Sequence, residues 1–278
     1  MKNFQTLEKR LAAVGNGNPK RSVEELAAHV LGCKPLEIYF KEISAEQEAE
    51  LERLIARAEQ GEPIQYIIGH VDFRGLEIHC DRRALIPRAE TELLVEAVHG
   101  SEFRVQGLLR IADVCTGTGC IGLALAAELP NAEVMAIDIS PEALALAKEN
   151  AERLGLGDRF QCLENNLLEG VEENSLDVVV SNPPYIFSNV WKNLDASVKE
   201  FEPQLALDGG EDGLDLIRPL VEQAARVLKP GGGLFLEIGY DQGQAVFQCL
   251  EKAGFENIQI IQDYAGLDRI VSGSIAQS

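Results

Sequence analysis

Two patterns of apolar spacing divide the chain. Over the first sixty residues the apolar positions recur at helical intervals. In "SVEELAAHVLG", Ser22 and Glu25 stand in capping-box spacing and Gly32 makes a stop. "SAEQEAELERLIARAEQG" repeats the design, with Ser44 and Gln47 at its start and Gly61 just past its end. Residues 63–80 change character: the β-type runs "YIIGHVDF" and "LEIHC" flank "RG" and predict a hairpin. "ALIPRAETELLVEAVHG" then reads as a proline-stiffened loop and a helix with an acidic first turn. From residue 107 short apolar runs, "LLRIADVC", "AEVMAIDI", "LDVVV" and "GLFLEIG", alternate with helical stretches. Strands without regular polar positions, alternating with helices, predict a doubly wound α/β sheet covered on both faces. The organisation expected is a helical domain over 1–62, a hairpin linker over 63–84 and the α/β domain over 85–278. The helices carry no chemistry, and serve either as a structural cap or as a docking module.

Charge narrows the partners. Residues 1–75 hold 12 acids against 10 bases, whereas residues 76–278 hold 33 against 15. An α/β domain that acidic repels phosphate backbones, so nucleic acid is not the expected partner and a basic protein surface is. Six cysteines without a C-x-x-C pair and four scattered histidines predict free thiols in a reducing cytoplasm and no metal site. "MKNFQTLEKRLAAVG" lacks the unbroken apolar core of a signal peptide, and no run has the length of a membrane span. No large apolar patch is legible, so a monomer is expected.

The first strand of the α/β domain ends in "ADVCTGTGCIG", where Gly117, Gly119 and Gly122 form G-x-G-x-x-G at a strand-to-helix turn. Asp138 ends the next strand, 21 positions after Gly117, where a carboxylate can accept hydrogen bonds from two vicinal ribose hydroxyls. Glycines alone can merely permit close packing, and Asp138 can merely precede a helix cap. Together they predict an adenosine-containing cofactor, either NAD or S-adenosylmethionine. The second carries no phosphate but a positive sulfonium, which suits acids such as Asp113 and Asp138.

The run "LDVVV" leads through Ser181 into "NPPY", Asn182 to Tyr185. Two prolines are good strand terminators, and on that ground alone the asparagine is a turn former. Methyl transfer gives the elbow a further use. An amide nitrogen is a poor acceptor because its lone pair is delocalised into the carbonyl. The Asn182 side-chain carbonyl and the Pro183 backbone carbonyl can grip both of its N–H bonds and aim the nitrogen at a methyl group. Pro184 stiffens the elbow and Tyr185 packs on the planar acceptor. Positioning and electrostatics then supply the rate without a strong base.

These residues carry a resemblance. "NPPY" after the fourth strand is similar to the motif of methyltransferases acting on planar nitrogen, in adenine or glutamine. "PIQYIIGHVDFRGLEI", "LIPRAETELLVE", "DVCTGTGCIGLALA", "EPQLALDGGEDGLDLIRPLV", "LKPGGGLFLEIGYDQG" and "DYAGLDRIV" resemble the bacterial release-factor glutamine methyltransferases, the PrmC/HemK family, from about residue 22 to 273. The resemblance implies a helical N-terminal domain, a hairpin and a seven-stranded, Rossmann-like class I methyltransferase domain. It implies transfer from S-adenosyl-L-methionine, leaving S-adenosyl-L-homocysteine, to the side-chain nitrogen of the glutamine in the GGQ motif of peptide-chain release factors, which the N-terminal helices help to dock. By motif, Cys115, Thr116, Gly117, Thr118 and Gly119 form the cofactor loop, Asp138 holds the ribose, and Asn166 and Leu167 lie beside the adenine. Asn182, Pro183, Pro184 and Tyr185 bind the glutamine, with Asn182 also near the cofactor; Arg88 and Glu90 of "IPRAETE" support the substrate.

Three positions depart from the family pattern: Cys115 replaces a glycine, Asn166 stands where an acid is common, and Ala89 replaces a proline. None removes the amide clamp, and a modest effect on cofactor affinity is expected. A glutamine methyltransferase of a ribosomal protein shares the elbow but matches "IPRAETE" poorly. An adenine-N6 enzyme is disfavoured by the acidic domain. A binding protein without catalysis has no use for the clamp, and a dehydrogenase leaves it unexplained.

Overall fold

A computed structural model describes residues 4–101 and 107–277. Met1 to Asn3, which begin the stretch read against a signal peptide, lie outside the described residues. The chain forms two compact units, Met1–His70 with Asp195–Phe201, and Val71–Leu194 with Glu202–Ser278.

In the first unit, helices Phe4–Ala13, Pro19–Leu31 and Ala45–Glu59 turn one apolar face each inward. Leu11, Val23, Leu26, Leu54 and Ile55 pack there, fully or almost fully buried. Ser44 and Gln47 cap the third helix reciprocally, and Gly32 ends the second in the left-handed conformation at φ 58°. Ser22 does not cap the second helix. Pro19 starts it a turn earlier, preset for a first helical position, and Asn18 accepts from the Arg21 N–H at 3.3 Å. Ser22 is instead buried and hydrogen-bonded to Asn16. Nor does the strand-like run "YII" form a strand. Ile64–Ile68 is a short helix closed by Gly69 at φ 89°, because Ile64 and Ile67, one turn apart, reach the helical core.

The hairpin is correspondingly shorter, β1 (His70–Phe73) and β2 (Leu76–His79). Arg74 and Gly75 both take positive φ, 48° and 78°, the geometry of a type I′ turn. Seven strands follow: β3 (Leu109–Val114), β4 (Ala132–Asp138), β5 (Phe160–Glu164), β6 (Leu176–Ser181), β7 (Leu228–Glu237), β8 (Glu256–Gln262) and β9 (Asp268–Ser274). They form one sheet in the order β5-β4-β3-β6-β7-β9-β8, parallel except for β9. Helices Glu92–Gly100, Cys120–Glu128 and Pro141–Arg153 bury Val95, Leu123 and Ala147 in one core, with Ile111 of β3. Ile217–Val227 and Gly243–Lys252 bury Leu220 and Val246 in a second core, with Ala112 of the same strand. Adjacent residues of β3 thus serve opposite cores, as a sheet covered on both faces requires.

Strand order reverses between β3 and β6, where Val114 lies opposite Ser181. The crevice beyond the carboxyl ends at such a switch point is where open α/β sheets bind ligands. Cys115 and Asn182 are the first residues past the two ends.

Candidate active site

A cavity opens at this switch point. Its lining includes Cys115 to Thr118, Asp138, Asn166, Leu167, Asn182 and Pro184. Three consecutive odd positions, Cys115, Gly117 and Gly119, take positive φ of 58°, 56° and 83°, curling the loop backbone. Beneath the loop Asp113 is wholly buried, and its Oδ2 accepts from the Thr116 hydroxyl at 2.6 Å and the Gly122 N–H at 2.9 Å. It is therefore a pin under the loop and does not line the cavity; burial pushes its carboxyl up to about 7. Gly122 is tied to the pin by space: a Cβ there would stand 2.8 Å from Val134 and 2.9 Å from Asp113 Oδ2. Cys115 brings a side chain to the loop, yet burial pushes its thiol up to about 12, so it is no nucleophile at neutral pH.

Asp138, ending β4, accepts from the Gly117 N–H at 2.9 Å with one oxygen and from the Ser140 N–H at 3.0 Å with the other. These bonds fix the carboxylate at the cavity wall and leave lone pairs on both oxygens for further donors. Beside it, the Asn166 Nδ2 donates to Glu169 at 2.6 Å, which turns the amide oxygen into the free acceptor of that side chain. Leu167 is buried at φ 53° and supplies an apolar wall. Ribose-type hydroxyls, an amino group and a flat apolar ring fit this set; a pyrophosphate would meet Asp138, and the lining arginines Arg83 and Arg88 are already paired with carboxylates. The donor set therefore fits S-adenosylmethionine.

The elbow leaves β6 with the Ser181 hydroxyl bonded to the Val114 carbonyl at 2.6 Å. Asn182 and Pro184 line the cavity, whereas Pro183 and Tyr185 do not. The Tyr185 carbonyl accepts from the buried Gln242 Nε2 at 2.9 Å, and Gln242 Oε1 in turn accepts from the Gly239 N–H at 2.8 Å. Gly209 lies so close behind that a Cβ would fall 2.7 Å from the Pro184 oxygen and the Tyr185 Cα. The Tyr185 ring is packed against the second core and its hydroxyl points to Glu237 at 3.4 Å. Asn182 Nδ2 donates to Thr91 at 3.2 Å, so its amide oxygen is the group left for a ligand.

The opposite wall is "RALIPR". Arg88 lines the cavity and donates to Glu202 at 2.6 Å, and the second Glu202 oxygen accepts the Ile86 N–H at 3.2 Å. Glu90 is exposed and does not line the cavity. Ala89–Thr91 makes a single helical turn without the proline usual in the resembling motif. Sequence reasoning passed over Thr91, Glu202, Glu237 and Gln242. Only Glu237 left a local signal, a lone acid in the apolar run "LFLEI". Among the described residues no cluster of His, Cys, Asp or Glu can hold a metal ion, and no helix is long and apolar enough to cross a membrane.

Comparison with known proteins agrees with this geometry. Residues 4–69 match the PrmC N-terminal domain and residues 89–200 the Methyltransferase small domain. The release factor glutamine methyltransferase of Moorella thermoacetica is 43% identical over 265 residues, 94% of this chain and 93% of that protein. That of Geobacter sulfurreducens is 39% identical over 268 residues, 95% and 93% of the two chains. The crystal structure of a methyltransferase from Pyrococcus furiosus, 20% identical, superposes with a TM-score of 0.55 over 73% of this chain and 90% of that one, and shares the fold.

Proposed function

Because the chain belongs to the release factor glutamine methyltransferase family, we propose that it methylates the side-chain amide nitrogen (N5) of the glutamine in the GGQ motif of peptide-chain release factors. S-adenosyl-L-methionine, when bound, supplies an electrophilic methyl group on a positively charged sulfur. Asp138 would accept the ribose hydroxyls, the Asn166 amide oxygen would take the adenine amino group and Leu167 would offer the ring an apolar wall, with the Cys115 to Gly119 backbone lining the site.

The observation that carries the reading is the free amide oxygen of Asn182, which lines the same cavity as the glycine loop; the second acceptor in this reading is the Pro183 carbonyl. A glutamine amide has two N–H donors, and two fixed acceptors hold its plane and aim the nitrogen. As the N–C bond forms and the methyl–sulfur bond breaks, positive charge moves onto nitrogen and both N–H···O hydrogen bonds to these acceptors strengthen, which is where stabilisation of the transition state is gained. One of those protons then passes to water, leaving a neutral secondary amide. Pro184 and Gly209 keep the elbow from yielding, and Pro203, Leu205 and Leu216 line the cavity with apolar surface. Arg88 holds the wall through Glu202, and Glu90 at the exposed end of the same loop meets the protein substrate.

The helical unit serves as the docking module for the release factor, with the hairpin as linker. The enzyme acts as a monomer in the cytoplasm, where translation takes place, and uses neither metal nor nucleic acid. Calorimetric titration with S-adenosylmethionine tests the cofactor half of this reading, and a mass gain of one methyl on a release factor tests the substrate half. No binding in the first would overturn the account at its base.

A further inference from the structure

Helix Pro141–Arg153 buries Ala143, Leu146, Ala147 and Ala151, and among these apolar side chains one amide, Asn150, which is 0% exposed. An amide is costly to bury unless its groups find partners, and asparagine is an indifferent helix former. Asn150 finds its partners on backbone alone. Its Oδ1 accepts the His79 N–H at 2.9 Å, and its Nδ2 donates to the His79 carbonyl at 3.0 Å and to the Thr118 carbonyl at 2.9 Å. Both Nδ2 protons are thereby spent.

These bonds join two sides of the cavity. Thr118 belongs to the cofactor loop and lines the cavity. His79 ends β2 and leads into the opposite wall, which starts at Arg83. Arg83 in turn reaches Glu149, the neighbour of Asn150 on the helix, at 2.8 Å. Within the loop, the Thr118–Gly119 peptide is held at both ends, its carbonyl by Asn150 and its N–H by the Thr116 carbonyl at 2.8 Å. Asn150 does not line the cavity, so the carbonyl it holds is turned away from the ligand side. A turn of this peptide would cost both bonds and strand a carbonyl of a residue only 2% exposed.

We propose that Asn150 is a positioning residue for the cofactor, which fixes the Thr118–Gly119 peptide, and with it the curl of the cofactor loop, against the strand that enters the opposite wall. The proposal rests on the S-adenosylmethionine reading above.

The test uses the full chain. Asn150→Ala removes all three bonds. Val98→Ala trims the same core from another helix and controls for lost stability. By calorimetry, Asn150→Ala should bind S-adenosylmethionine at least about tenfold more weakly, and Val98→Ala within about twofold of the wild type. In methylation of a release factor, Asn150→Ala should raise the KM for S-adenosylmethionine with kcat changed less than about threefold, because the amide clamp is untouched.

Hydrogen exchange reads the loop without any ligand. The amides of Gly117 and Gly119, bonded to Asp138 and Thr116, should exchange at least about tenfold faster in Asn150→Ala, while those of β7 change no more than in Val98→Ala. Normal affinity in Asn150→Ala, or a loss of protection spread evenly over the sheet, overturns the proposal. If that variant does not fold, the wild type decides. Coupling is reciprocal, so S-adenosylmethionine should slow exchange of the Asn150 side-chain amide protons, assigned through His79 and Thr118. Exchange that the ligand leaves unchanged overturns the proposal as well. If the wild type does not bind S-adenosylmethionine, the cofactor reading has failed, and loop exchange still decides the role of Asn150: unchanged Gly117 and Gly119 rates in Asn150→Ala overturn it.

Discussion

Glu202 and Arg88, 114 positions apart in sequence, meet at 2.6 Å, and the side chain of Glu202 is 2% exposed. The same carboxylate accepts the Ile86 N–H, so one acid holds the "IPR" wall at two points. Glu202→Ala should destabilise the protein by about 2 kcal/mol, the scale of a lost charge-assisted hydrogen bond whose other partner can reach water. Glu202→Gln should cost less, because it keeps an acceptor for Ile86. Denaturant unfolding of the two variants measures the difference.

Gly122 has no room for a side chain. Its Cβ would press on Val134, Phe160 and the Asp113 carboxylate at 2.8–2.9 Å. Gly122→Ala should therefore cost about 1–3 kcal/mol by overpacking. It should also weaken S-adenosylmethionine binding, since Asp113 holds the loop through Thr116. Thermal unfolding with and without the ligand separates the two effects.

The raised carboxyl of Glu237 sets a pH dependence of stability. An acid whose folded-state pKa lies above its unfolded value holds its proton longer in the folded chain, so stability falls as pH rises between 4.5 and about 7 and levels off above. The loss is on the order of 3 kcal/mol for a group so deeply buried. Glu237→Gln does not titrate. Its stability relative to the wild type should improve from pH 5 to pH 8, read as the difference between two denaturation series.

Asp138 and Asn182 line one cavity and should fail differently. Asp138→Ala should weaken S-adenosylmethionine binding at least about tenfold, the scale of a lost charged hydrogen bond. Asn182→Ala should leave binding within a few-fold and abolish transfer, because its oxygen is needed for the acceptor. Calorimetry and single-turnover methylation, run on both variants, give the two readouts.

Legibility in the sequence followed burial. The strands β3, β4, β6 and β7 announced themselves as apolar runs because helices cover both their faces. β5, "FQCLE", did not: it is an edge strand with four of its five residues exposed, and its pattern is that of a loop. "YII", the start of "YIIGHVDF", read as strand from its branched residues, although Ile64 and Ile67 needed the spacing of a helix to reach their core. At the site, contiguous motifs gave the glycine loop, Asp138 and the elbow. Glu202, Thr91 and Glu237 were hidden for a common reason. Each acts on a partner 52 to 116 positions away, and no local pattern encodes such a pairing.

The most direct test of the central claim is methylation of a purified release factor, in wild-type form and with the glutamine of its GGQ motif replaced by alanine. S-adenosylmethionine is the donor and peptide mass spectrometry the readout. The account predicts one added methyl on that glutamine and none on the alanine form. Equal methylation of both forms, or of neither while S-adenosylmethionine binds, would contradict it.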